Sequence, residues 1–180
     1  MKTSFFTREE LLDIGFKSVG NNVLISRYAR FYSVNEIEIG DNVRIDDFCI
    51  LSGSIKLHNY IHISAYSAMY GKFGIEMEDH TGLSPRCTIF SASDDFSGEF
   101  LIGPMVNPEY TNVKGGKVLI KRYTQLGANC VVLPNVTVSE GVAIGAMSLV
   151  NRNLEEWKIY FGIPVRCLKD RKKDLTNYFK

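Results

Sequence analysis

Neither sign of charge is in excess in this chain: 21 basic residues face 20 acidic ones, for a net charge of +1. No basic stripe is visible either, which argues against nucleic acid as the main partner. Long hydrophobic runs are missing. None approaches the ~18 residues that a membrane-crossing helix needs, so no membrane span is expected. Residues 1–10 hold no apolar signal-peptide core, which points to a cytoplasmic protein. Histidine is scarce: the chain has His58, His62 and His80, and none after His80. A zinc site needs ligands converging on one point, and no other ligand cluster accompanies these three, so no metal is expected. The four cysteines are Cys49, Cys87, Cys130 and Cys167. The first three are expected as buried free thiols acting as small hydrophobes, not as disulfides or metal ligands. At 180 residues with an ordinary apolar share of 45%, a single domain is expected.

What the chain has is a beat of six. Ile39, Ile45, Leu51, Leu57, Ile63 and Met69 keep strict step. After a slip of two residues come Met77, Leu83 and Ile89. After a long interruption the beat returns at Ile120, Leu126, Val132, Val138, Ile144 and Val150. Two places before each stands a small, thiol or branched residue, such as Val43, Cys49, Ser67, Cys87, Thr124 or Val142. A helix needs a period near 3.6 and a half-buried strand a period of 2. Six fits short strands joined by tight corners, with one aliphatic side chain inward on each flat face. Three faces make one turn of a triangular prism, and such turns stack as a solenoid.

Around this prism the chain divides simply. Residues 7–16 read as a short helix, with Thr7 and Glu10 at capping-box spacing and Phe6 and Leu11 as a hydrophobic staple. The β-helix is expected over 19–150, in about six turns, the first coils being weaker. Residues 91–117 form a long glycine- and proline-bearing loop, and loops of that length in a compact domain are usually functional or disordered. Gly162-Ile163-Pro164 reads as a turn, and 164–180 as a basic, then amphipathic, tail helix.

The segments Ile39-Gly40-Asp41-Asn42-Val43, 126–136, 141–150 and Gly162-Ile163-Pro164 resemble the hexapeptide-repeat acyltransferases, over about residues 19–166. The resemblance implies an all-β fold, a left-handed parallel β-helix. It also implies acyl-CoA as cosubstrate and a homotrimer with active sites between subunits. Many members carry a histidine base in or near the long loop; this chain does not. Its loop reads Ser-Ala-Ser-Asp-Asp-Phe-Ser-Gly-Glu over 91–99, preceded by Gly82-Leu83-Ser84. That stretch is similar to the N-acyltransferases of nucleotide-linked amino-dideoxy sugars, of the dTDP-anthrose type. The resemblance places Asp94, Glu99 and Ser84 in catalysis; Asp95 beside Asp94, the outward His62 near a corner and Tyr66 are expected on the substrate. It places Ala128, Ala146, Pro164, Arg166 and Lys172 on CoA.

The chemistry agrees with a loop that lacks histidine. A sugar hydroxyl is a very weak acid and profits from a positioned base. A neutral amine is already a good nucleophile; it needs orientation and later loss of a proton. A carboxylate can accept a hydrogen bond from the amine and aim its lone pair. The expected function is therefore acylation of the amine of a nucleotide-linked sugar, dTDP-4-amino-4,6-dideoxyglucose being the first candidate. The acyl group, acetyl or 3-hydroxyacyl, stays open. Two alternatives stand beside it: sugar O-acetylation with His62 or His80 as base, and a non-catalytic scaffold. The sugar-nucleotide's base needs an aromatic shelf, for which Tyr32, Tyr60, Tyr66, Tyr70 and Phe73 are all available.

Overall fold

The structure, a computed structural model, describes residues 4–179. Every residue of the six-beat is buried, from Ile39 at 2% exposure to Val150 at 0%, and so is the partner two places before it. The chain builds a parallel β-solenoid of about 7 turns with three faces. The first face stacks Ile37–Ile39, residues 55–57, residues 75–77, Val118–Ile120 and Thr137–Val138. The second stacks Arg30–Tyr32, residues 50–52, residues 68–70, Thr88–Phe90, Val131–Val132 and Leu149–Val150. The third runs from Leu24–Ile25 through Val43–Ile45, Ile61–Ile63, Gly82–Leu83, Gln125–Leu126 and Ala143–Ile144 to Lys158–Phe161. The last strand adds a coil beyond Val150, so the count of about six turns was one short. Residues Leu154, Tyr160 and Val165 supply its inward side chains, while Trp157 lies at a corner.

Strict stacking holds the prism together. Each inward aliphatic side chain contributes about 1.5–3 kcal/mol by leaving water. Every buried side-chain nitrogen and oxygen among the described residues has a hydrogen-bond partner. The corners need left-handed backbone, and Asn42, Tyr60, His80 and Tyr123 all adopt positive φ. Their rings stack as a ladder: Tyr60 on His80 at 4.6 Å, His80 on Tyr123 at 5.5 Å, Tyr123 near Trp157 at 6.1 Å. Gly141 takes the same corner with φ +69, where a Cβ would lie 2.4 Å from the Trp157 ring. Glycine alone fits there.

At the N-terminus the α-helix spans Arg8–Asp13, closed by the Thr7–Glu10 capping box. Arg27 grips Glu10 through both nitrogens, at 2.8 and 2.6 Å, and this hydrogen bonding holds the Glu10 carboxyl down to about 2. The tail departs from expectation. Instead of a helix over 164–180, Arg166–Asp170 is a strand antiparallel to Lys158–Phe161, and Asp174–Phe179 is 3-10. The last parallel strand leaves a row of unpaired backbone groups, and the tail covers this edge. Arg171 folds back to donate to the carbonyls of Tyr123 and Gly141 at 2.8 and 2.9 Å. No helix among the described residues is long and apolar enough to cross a membrane.

Candidate active site

The regular coils are interrupted on the edge where the second face ends. The 10-residue strand Ala68–Met77 carries the two extra residues of the slip, and its register shifts there against Ile50–Leu57. Phe73 is held out by a hydrogen bond from its N–H to the Ser91 Oγ, 2.8 Å. One coil later the long loop leaves and returns through the antiparallel pair Ala92–Ser93 and Lys114–Gly115. Between this loop and the second face lies a cavity of about 930 Å³. Tyr70, Phe90, Phe96, Val113, Leu133 and Pro134 make its wall mostly apolar. Among the described residues Asp94 is the only carboxylate on that wall and Lys72 the only cation, and no histidine lines it.

Asp95 behaves differently from its neighbour. It is 5% exposed and turned into the loop. Its Oδ1 accepts from the Ser97 N–H at 2.7 Å, and its Oδ2 from the Asn112 amide at 2.7 Å. Lys114 Nζ also lies 2.7 Å from Oδ2. The hydrogen bonds from Lys114 and Ser97 hold the Asp95 carboxyl far below the usual carboxylate range. Asp95, expected on the substrate, ties the outgoing limb of the loop to the returning one through both its oxygens. A buried charge is tolerated only when paired in this way.

The remaining expected residues fall elsewhere. Glu99 is exposed, its N–H donating to Ser97 Oγ at 3.2 Å, and it does not line the cavity. Ser84 stands at the opposite edge of the second face, where the third face turns into it; its Oγ accepts from Gln125 Nε2 at 3.2 Å. Ala128 and Ala146 follow on the same corner, linked by the Met147 N–H donating to the Ala128 carbonyl at 2.8 Å. Above them Pro164 and Arg166 border a smaller cavity of about 180 Å³ together with Arg152. Lys172 is exposed beyond the tail strand. Tyr66 belongs to a corner stack on Phe48 (5.0 Å), with Arg86 over its other side (5.3 Å), rather than to the cavity. His62 sits on the third face with Nε2 2.8 Å from Asp46 Oδ2, and Arg44 holds the other oxygen at 2.7 Å. His80 is in the corner ladder, and His58 pairs with Glu76 at 2.7 Å. Among the described residues no three ligand-type side chains gather as a metal site.

Thus one chain brings Asp94 to a cavity and strings Ser84, Ala128, Ala146 and Pro164 along the far corner. Sequence reasoning missed Lys72, Phe90 and Arg152. For Lys72 a signal existed: it lies inside the two-residue slip between Met69 and Met77, where the chain leaves its own rule. Phe90 follows an inward Ile89 and looks like any outward residue. Arg152 lies past the last beat, and nothing in its neighbourhood singles it out.

No family model matches the chain. Individual relatives do. A dTDP-4-amino-4,6-dideoxy-D-glucose acyltransferase of Escherichia coli is 43% identical over 169 residues, 92% of this chain and 88% of its own length. The N-acyltransferase AntD of Bacillus cereus, solved with dTDP and 3-hydroxybutyryl-CoA, is 50% identical. It superposes with a TM-score of 0.96, over 99% of this chain and 95% of the crystallised one. Its S84A and D94A mutants, also solved, give the same 50% and 0.96. Those numbers hold Ser84 and Asp94 in this chain as well. The solenoid with its six-beat, the loop that carries Asp94 and these two likenesses agree: the chain belongs to the hexapeptide-repeat acyl-CoA-dependent N-acyltransferases, the family of the Escherichia coli enzyme and of AntD.

Proposed function

We propose that this chain transfers an acyl group, acetyl or 3-hydroxybutyryl, from acyl-CoA to the amine of dTDP-4-amino-4,6-dideoxyglucose. The observation that carries the reading is a cavity whose wall offers one carboxylate, Asp94, and no histidine. Asp94 accepts a hydrogen bond from the neutral amine and directs its lone pair at the thioester carbonyl. The N–C bond forms, the C–S bond breaks, and the departing CoA thiolate takes the proton that the nitrogen sheds. No side chain needs to be a strong base. The Escherichia coli relative is named for this amino sugar, and AntD was solved with it, with CoA and with 3-hydroxybutyryl-CoA.

The working unit is a homotrimer. Asp94 and Ser84 lie at opposite edges of one face, so a single chain does not bring them together. Packing three prisms side by side sets the loop of one against the Ser84 corner of the next. Acyl-CoA then runs along that corner past Ala128 and Ala146, where small side chains let the pantetheine amides reach the backbone. Its phosphates end near Arg166, with Arg152 beside it; Lys172 is farther down the tail.

The test is to incubate the protein with dTDP-4-amino-4,6-dideoxyglucose and a panel of acyl-CoAs and follow thiol release. Release that depends on the amino sugar supports the reading, and the preferred thioester identifies the acyl group. Release with hydroxyl acceptors only, abolished by His62→Asn, would replace it by O-acetylation, with Asp46 as the partner of His62.

A further inference from the structure

The hydroxyl of Ser84 can accept a hydrogen bond and donate one, and a single neighbouring side chain decides which of the two is left for a ligand. We propose that Gln125 is a positioning residue: it holds Ser84 Oγ as an acceptor and so leaves the hydroxyl proton for the carbonyl oxygen of the acyl thioester. The inference rests on the function proposed above and gives that reaction a residue that lines neither cavity.

The direction of the hydrogen bond follows from the strand geometry. Gln125 is the register partner of Gly82 on the third face, and Leu126 that of Leu83. The Ser84 N–H donates to the Leu126 carbonyl at 2.9 Å. The Gln125 side chain lies over this rung, with Nε2 3.2 Å from Ser84 Oγ and 3.2 Å from the Leu126 carbonyl oxygen. A carbonyl oxygen only accepts, so the amide must present its NH2 group there. That choice settles the other contact: the second amide hydrogen goes to Ser84, whose oxygen accepts. Gly82 makes room for the arrangement. A Cβ at this position would lie 2.5 Å from Gln125 Oε1, so a side chain at 82 would push the amide aside.

A serine hydroxyl has one proton and two lone pairs. Gln125 takes a lone pair, and no acceptor among the described residues takes the proton. Ser84 is half-buried and therefore open to a ligand at its corner, on the line with Ala128 and Ala146 proposed above for acyl-CoA. When the amine attacks, the thioester carbonyl oxygen carries negative charge until the C–S bond breaks. A donor aimed beforehand stabilises that charge without having to reorient. A freely turning hydroxyl would divide its proton among several directions, and Gln125 narrows that choice.

Steady-state kinetics with the amino sugar and acyl-CoA test this, on the wild type, Gln125→Glu, Gln125→Leu and Gly82→Ala, each with Ser84 intact and with Ser84→Ala. Gln125 is exposed, so its variants should keep the wild-type melting temperature. An ionised glutamate only accepts, and the Ser84 proton would turn to it. Gln125→Glu is therefore expected to lower kcat by roughly tenfold to a hundredfold, with both KM values within about threefold of wild type. Gln125→Leu frees the hydroxyl without reversing it and should cost less, about threefold to tenfold. Gly82→Ala should behave like Gln125→Leu. In the Ser84→Ala background none of the three should lower kcat further by more than about twofold. A Gln125→Glu enzyme as fast as wild type overturns the assignment. So does a loss of equal size with and without the Ser84 hydroxyl, which would be charge repulsion acting apart from Ser84. Both results leave the proposed reaction intact. A wild type that transfers no acyl group to the amino sugar overturns that reaction, and the role of Gln125 with it.

Discussion

The coils of 118–150 and the coil of 69–117 are made from the same rule, and only the second breaks it. From Val118 to Val150 every sixth residue is inward and every corner is tight, and one corner carries the small residues Ala128 and Ala146. The coil from Met69 onward has two residues too many at Lys72–Phe73, then a 27-residue excursion before the beat resumes. The cavity, Lys72 and Asp94 all sit at the break. The regular region supplies a rigid wall, and the irregular one supplies the cavity. A solenoid coil that obeys the repeat has no room to form a pocket, since its inward side is full and its outward side is flat. Departure from the period therefore marks the cavity in this fold, in the way loops on rigid scaffolds carry sites elsewhere.

The comparison can be broken at its sharpest point first. Asp94→Ala should lower kcat/KM by about a hundredfold or more, with the melting temperature unmoved, because Asp94 lines a cavity and supports no core. A large fall in melting temperature would mean the loop is structural after all. Ile120→Ala, in a regular coil, should do the reverse. It should cost about 2–5 kcal/mol of stability in denaturant unfolding and leave turnover per folded molecule near wild type. If activity collapsed at full stability, the two regions would not be separable.

Asp95→Asn sharpens the comparison within the loop itself. It leaves Lys114 without its partner and should raise KM for the amino sugar by about tenfold, through a loosened Asp94, while KM for acyl-CoA stays. An equal rise in both would show that the loop serves the whole site. The smallest effect belongs to the other end of the chain. Glu10 has a depressed carboxyl, at about 2 against an ordinary 4.5, so its tie to Arg27 is present above 4.5 and lost as pH falls toward about 2. Amide exchange in residues 8–13 should rise over that window. The rise should vanish in Glu10→Gln, which has no proton to gain.

Much of this was legible in the chain. The six-beat led to the solenoid because an inward side chain on each short strand leaves no other packing. Thr7 and Glu10 announced the first helix through a local reciprocal hydrogen bond. The loop stretch singled out Asp94, and the structure sets it on the cavity wall. The tail was misread: Leu168 to Lys180 has helical amphipathicity, yet an open sheet edge offered its backbone a partner, and no local pattern reports an edge. Asp94 and Asp95 part for a related reason. Two adjacent aspartates look alike in sequence, and only the return of Asn112 and Lys114 from the far limb tells which one is spent. Tyr66 and Tyr70 likewise differ by four residues in sequence and by a whole corner in space.

Periodicity is a local property, repeated many times, so the sequence by itself determined the solenoid, its buried residues and the position of the interruption. Which carboxylate faces the cavity, which lysine lines it and which aromatics wall it were decided only by tertiary structure. Those choices depend on single contacts between distant segments, and a contact made once leaves no period to read.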